Sequence, residues 1–255
     1  MLPRRDLHTH STHSDGHQTI EEIFREAQRR KLEVVAVTDH ANTSNSDYES
    51  ASDVEYIKNL KDQCNSLCRG TETRLLIGVE AEIIDVEGSL NISPEIAGEF
   101  DFVIASLHVI PRESSGTIEG DLRAGRRELA VRCIRSEIAA IKSGSADVLG
   151  HPMYTATMGR YLKTINDYSG NILTELAEAA AKHDVAVEVN GHFYRDITPP
   201  TGYSELFRIC LENSVKLSTG SDAHQWLHVG ALSGIHDTLK RLNTKPSDLY
   251  TPELK

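Results

Sequence analysis

The chain has 255 residues, 39% hydrophobic and 25% charged, proportions that suit one large globular domain with a substantial core. Its 38 acidic residues outnumber 27 basic ones, a formal net charge of -11, which argues against gripping a nucleic-acid backbone through a basic face. No apolar run approaches the roughly 20 residues of a membrane span, and Met1-Leu2-Pro3-Arg4-Arg5 leads at once into donor-rich sequence, so a cytoplasmic location without a membrane anchor is expected.

An opening strand is predicted around residues 5–9. A helix over 19–31 follows, where the capping box Thr19-x-x-Glu22 precedes Ile20, Ile23, Phe24 and Ala27 at helical spacing. Further strands are predicted at 33–38, 75–79, 102–107, 147–149, 185–189 and 215–219. Several are nearly all apolar, as parallel strands buried on both faces are. Helical patterns lie at 50–68, 120–143, 171–184, 203–213 and 229–242. About seven β/α units result, with no linker, low-complexity tract or repeat, so residues 1–255 read as a single domain. An α/β barrel of this length is ordinary.

Of the four cysteines, only Cys64 and Cys68 are close, at the i, i+4 spacing of one helix face. Two thiols without a second pair fall short of a metal motif, and all four, Cys133 and Cys210 included, read as reduced core residues.

The chemistry sits elsewhere. Asp6-Leu7-His8-Thr9-His10 and Gly220-Ser221-Asp222-Ala223-His224 each hold two donors two residues apart, on one side of an extended strand. Asp15, His40, Glu80, His108 and His151 lie between them. On the predicted map, His8, His40, Glu80, His108, His151, Asp222 and His224 all fall at a strand's carboxyl end, where barrels assemble their active sites. There are too many donors for one ion. Mixed imidazole and carboxylate sets suit zinc, manganese or iron better than calcium or copper. A carboxylate bridging two such ions, with a water between them that becomes hydroxide near neutral pH, is what phosphate-ester hydrolysis needs.

Seven strings carry a resemblance: Asp6-Leu7-His8-Thr9-His10-Ser11, Ser14-Asp15-Gly16, Val37-Thr38-Asp39-His40, Gly78-Val79-Glu80, Leu107-His108, Gly150-His151-Pro152 and Gly220-Ser221-Asp222-Ala223-His224. In this order, across residues 6 to 224, they resemble the PHP (polymerase and histidinol phosphatase) family. The resemblance implies a distorted seven-stranded (β/α)7 barrel carrying a trinuclear centre, with two or three divalent ions as cofactors. It implies that His8, His10, Glu80 and Asp222 hold one ion, and that Glu80 bridges to a second held by His108 and His151. A third falls to Asp15, His40 and His224. In some members the position of Asp15 is a histidine, and here His13 and His17 flank it. The Gly-x-Glu string favours Glu80 over Glu82 as the bridge.

Other polar residues are weighed beside these. Asp6 and Asp39 precede donor histidines by two and one residues and are candidates to accept their second ring N–H; for Asp39 a turn or cap role is the alternative. His183, His228 and His236 read as structural. His192, after the sixth strand, is kept beside Glu80 and Asp222 as a catalytic or substrate-contacting group. Arg195, Arg160 and Arg112 follow strands on the same face and are candidates to fork onto a phosphate. No P-loop or dinucleotide fingerprint is present.

Three functions compete. The first is a phosphoesterase hydrolysing a small phosphorylated metabolite or nucleotide by attack of metal-bound hydroxide. The second is a 3′-5′ nuclease acting on single strands, against which stand the acidic balance and an aromatic content of 5%. The third is a non-catalytic domain using metal for stability only. The sequence leaves the oligomeric state open. Substrate selection is expected in loops 41–53, 111–120 and 152–170.

Overall fold

The computed structural model describes residues 2–41, 54–111, 126–154, 171–195 and 203–252. Its strands are β1 (Arg5–Asp6), β2 (Val34–Val37), β3 (Arg74–Ile77), β4 (Val79–Glu82), β5 (Val103–Ser106), β6 (Val148–Leu149), β7 (Ala186–Asn190) and β8 (Leu217–Gly220). The main helices are α1 (Ile20–Arg29), α2 (Val54–Cys68), α3 (Pro94–Ala97), α4 (Arg126–Ser143), α5 (Ile172–His183), α6 (His192–Arg195), α7 (Tyr203–Glu212) and α8 (Ser233–Arg241). All strand pairs are parallel, in two sheets ordered β1-β2-β3 and β4-β5-β6-β7-β8.

The apolar strands are covered on both faces. Val35 and Val37 of β2 join a large outer core with the helices, whereas Val34 and Ala36 join an inner cluster with Leu7, Leu76, Phe102, Ile104, Val148 and Ala186. This inner cluster draws on both sheets. Two-residue alternation thus serves two cores rather than a core and a solvent face.

The predicted strand 75–79 is the one that departs most from expectation. It is two strands broken at Gly78, so Glu80 lies inside β4 instead of closing a strand. The Gly78 N–H still reaches back to Val37 O at 2.9 Å, while the next residue, Val79, reaches forward to Phe102 O at 3.2 Å. A Cβ at residue 78 would sit 2.9 Å from the Phe102 ring, so only glycine lets the chain turn here. Beyond the break, the segment after β2 pairs with β4, through Glu80 N–H to Asp39 O (3.2 Å) and Ala41 N–H to Glu80 O (2.8 Å). At the other edge, Leu7 N–H to Thr219 O and Asp222 N–H to His8 O, both 2.8 Å, tie the first strand segment to the last.

The capping box at Thr19 and Glu22 forms as predicted. The last helix begins only at Ser233, because a 3-10 turn at Trp226–His228 and Gly230 at φ 70° occupy its approach. Short α3 and α6 were not predicted; α3 is started by the Ser93 cap and Pro94. Cys64, Cys133 and Cys210 are buried, and burial pushes each thiol up to about 12. Cys68 is half-buried, its sulfur accepting the Leu75 N–H. Among the described residues no helix is long and apolar enough to cross a membrane.

Candidate metal centre

The loops leaving the carboxyl ends of the strands carry the donors inward. After β1, the turn at 11–16 doubles back so closely that a Cβ on Gly16 would lie 2.2 Å from His10 O; this delivers Asp15 beside His10. Gln18 clamps the turn by donating to His10 O and Ala223 O. After β8, Asp222 takes the left-handed backbone at φ 54°, a strain on the order of 1 kcal/mol that the surrounding bonds sustain.

Three sets of donor atoms gather: His8, His10 and Asp222; Glu80, His108 and His151; and His10, Asp15, His40 and His224. Relative to the grouping implied by resemblance, His10 lies between two sets. Its Nε2 faces Glu80 and Asp222, each at 3.4 Å, and its Nδ1 lies 3.6 Å from Asp15. Glu80 stands at the middle. Its Oε2 is 3.4 Å from His8 Nε2 and 3.0 Å from His40 Nδ1, and its Oε1 is 2.9 Å from His151 Nε2 and 3.7 Å from His108 Nε2. His224 Nε2 and His40 Nε2 face Asp15 at 3.2 and 3.5 Å.

Several of these atoms are sealed from solvent yet have no hydrogen-bond partner: His8 Nε2, His10 Nε2 and Glu80 Oε2. A buried polar atom left unpaired costs about 1–3 kcal/mol, so three aimed at one point need a common partner. Their spacing identifies its kind. Ligands about 2 Å from a tetrahedral ion stand about 3.4 Å apart, too far for a good hydrogen bond and right for a shared cation. The nitrogen–oxygen donor set therefore fits divalent ions.

Charge tells the same story. Burial alone would raise the carboxyls of Glu80 and Asp222, yet the facing imidazoles, His8 foremost, hold both well below the usual carboxylate range. Burial would lower His8 and His40, but Glu188 foremost for His8 and Glu80 for His40 prevail. His8 stands well above the ordinary imidazole value and His40 is carried up to about 9. His10 goes the other way, lowered by burial with His40 and His224 adding to it. Without ions the cluster keeps its carboxylates charged and holds protons on the facing imidazoles, and cations binding there displace those protons.

The acids that orient the histidines are not those expected. Asp6 and Asp39 touch no ring nitrogen. Asp6 accepts the Ser221 N–H (2.7 Å), Ser221 hydroxyl (2.6 Å) and Gly230 N–H (2.6 Å), and Asp39 accepts from Ser11 and Ser14. Both tie loops, because their short side chains reach neighbouring backbone before any imidazole. The orienting acids are Glu188 and Glu82. Buried Glu188 takes His8 Nδ1 at 2.9 Å, the His151 N–H at 2.7 Å and the Asn190 amide at 2.9 Å. Glu82, weighed in the sequence only as an alternative bridge, takes His108 Nδ1 at 2.6 Å and the His108 N–H at 2.8 Å. Each leaves the histidine's Nε2 turned to the centre, fixing its tautomer. A charged residue within the apolar string Val-Ala-Val-Glu-Val was the available signal for Glu188.

A cavity of about 330 Å³ opens above the cluster, lined by the donors other than His8, together with His192 and Tyr154. Tyr154, three residues beyond His151 and absent from the sequence-based set, packs its ring on His151 (4.9 Å) and near His192 (5.8 Å). Arg195, expected against a phosphate, does not line this cavity. Its guanidinium donates to Ser221 O (2.9 Å) and Asp222 O (3.3 Å), where it braces the Asp222 loop. Arg112 and Arg160 lie outside the described residues, as does most of the three selection loops.

The PHP domain profile matches residues 6–192. A relative named a probable phosphatase, from Thermoanaerobacter sp. (strain X514), is 32% identical over 231 residues, spanning 88% of this chain and 80% of its own. Another probable phosphatase, from Caldanaerobacter subterraneus subsp. tengcongensis, is 30% identical over 244 residues, spanning 93% and 83%. Among solved structures, histidinol phosphate phosphatase from Lactococcus lactis subsp. lactis, complexed with zinc, L-histidinol and phosphate, shares the fold. The TM-score is 0.70 at 22% identity, over 96% of this chain and 95% of that one.

Proposed function

This chain belongs to the PHP domain family and its relatives are named probable phosphatases, and we propose that it is a metal-dependent phosphoesterase hydrolysing a small phosphorylated metabolite or nucleotide. One observation carries this: buried, unpartnered His8 Nε2, His10 Nε2 and Glu80 Oε2 converge at ion-sharing distances beneath a small cavity.

His8, His10 and Asp222 would hold one ion, Glu80, His108 and His151 a second, and Asp15, His40 and His224 a third, giving two or three zinc, manganese or iron ions. When bound, such ions lower the pKa of water toward neutrality and neutralise phosphoryl charge. The chain's own residues do the rest. Glu188 and Glu82 hold His8 and His108 in the tautomer that presents Nε2, and Arg195 keeps the strained Asp222 in place. His192 and Tyr154 form the wall without metal donors, and His192 is our candidate to protonate the leaving oxygen. Arg112 and Arg160 are candidates to meet the phosphate from their loops.

The cavity's size suits a phosphoryl group with a small body. Among the described residues its lining contains no lysine or arginine to track a strand, so the nuclease reading gains nothing. We further infer that the two sheets are halves of a distorted seven-stranded (β/α)7 barrel. Arg74–Glu82 then counts as one bent strand, and the shared inner cluster and the Leu7–Thr219 bond support closure. A core running from Ile20 to Leu249 supports reading residues 1–255 as one domain.

The test is elemental analysis of protein purified without chelator, followed by a panel of phosphate esters with zinc, manganese and iron supplied separately. Two to three ions per chain and turnover of at least one monoester are expected, with Glu80→Gln reducing turnover at least about 100-fold. Less than one ion per chain and no hydrolysis would overturn the assignment.

A further inference from the structure

A second cavity, of about 850 Å³, opens at the opposite end of the strands, near Leu2 and Arg4 ahead of β1 and Pro246 beyond α8. Its lining includes the cations Arg4, Arg30 and Lys240, the imidazole of His236, and the hydroxyls of Ser233 and Thr244. Among the described residues no aspartate or glutamate lines it, although the chain carries a net charge of -11. Arg30 shares the single carboxylate of Glu26 with Arg29, and Lys240 lies 3.8 Å from Asp237 on the exposed face of the helix. The Arg4 side chain forms no ion pair among the described residues.

Two polar atoms here are closed off from solvent without a partner: His236 Nε2 and Thr244 Oγ1. The positive surroundings register on His236, which burial lowers, with Lys240 and Arg4 adding to it. The wall behind them is already fixed. Gly230 donates to Asp6 at 2.6 Å, and Arg30 donates to Leu227 O at 2.6 Å. A ligand would meet a fixed wall at Gly230 and Arg30, with His236 and Thr244 turning their unpaired atoms toward it.

We propose that this cavity binds a small phosphate monoester, distinct from any held at the metal centre. Two cations, two hydroxyls and an imidazole surround a tetrahedral head better than a planar carboxylate, which uses one fork. Leu2, Leu232 and Pro246 offer an apolar seat for the organic body.

The probe is phenylphosphonate, a stable mimic, titrated by calorimetry into the metal-loaded protein, with benzoate as the carboxylate arm. Wild type should take up phenylphosphonate at the metal centre and at one further site that benzoate fills poorly. The double variant Arg4→Gln/Lys240→Gln should lose the further site, each missing charge-assisted bond weakening it about tenfold or more. If that variant is misfolded by circular dichroism, Ser233→Ala/Thr244→Val serves in its place. Crystals soaked in phenylphosphonate should show the molecule against Arg4 and Lys240. Equal stoichiometry in wild type and variant, equal filling by benzoate, or density at the metal centre alone would overturn the proposal.

Discussion

Replacing Glu188 by glutamine tests whether this buried carboxylate sets the tautomer of His8. The amide has nearly the same shape, so packing is preserved and only hydrogen-bond polarity changes. If the new NH₂ faces His151 and Asn190, it opposes a backbone N–H at 2.7 Å and an amide at 2.9 Å. Asn190 cannot turn over without losing its bond from the His192 N–H. The cheaper orientation points NH₂ at His8 Nδ1. His8 then accepts at Nδ1 and moves its proton to Nε2, the atom facing Glu80 at 3.4 Å. An ion at Nε2 requires the proton to return, against an opposing amide N–H, at about 1–3 kcal/mol. That corresponds to a metal affinity about 10–100-fold weaker. The assay is phosphatase activity against buffered free zinc or manganese, with bound metal measured in parallel. The midpoint should shift by that factor while the rate at saturating metal largely recovers. A midpoint within twofold of wild type would refute the tautomer role.

Asp6→Asn should leave a buried donor near Ser221 or Gly230 unpaired and cost about 1–3 kcal/mol, lowering Tm by several degrees; an unchanged Tm in calorimetry would count against its loop-tying role. Gly220→Ala would place a Cβ 2.3 Å from both Glu188 Oε1 and His8 Cβ, so the variant should be insoluble or metal-poor. Full metal content by elemental analysis would refute this. Burial pushes the Glu137 carboxyl up to about 8, so between its ordinary value and pH 8 the folded protein keeps a proton that the unfolded chain has lost. Stability should therefore fall as pH rises through that window, and Glu137→Gln, still able to accept the Met153 N–H, should flatten the fall. Parallel Tm–pH curves for the two proteins would contradict it. Chelation should lower Tm by removing the ions' binding energy, and an identical Tm with and without metal would speak against buried ions.

Much of this was legible in one dimension. Short apolar runs alternating with helical periods mark a parallel α/β fold, because strands buried on both faces cannot carry a polar side. His8-x-His10 declares itself because residues two apart in extended chain share a side, whereas Asp222 and His224, expected to do the same, reach the cluster through the left-handed turn at Asp222 and fall in different donor sets. What tertiary structure alone decided were relations between distant segments. The split at Gly78 depends on the ring of Phe102, 24 positions away, and Glu82 turns from a rival bridge into the partner of His108 only when β4 lies beside β5. Glu188, rather than Asp6, orients His8 because β7 and β8 bring it there, and Arg195 is drawn to the backbone of the Asp222 loop. Residue type states which atoms can bind an ion or a proton; which of them meet is set by how strands stack.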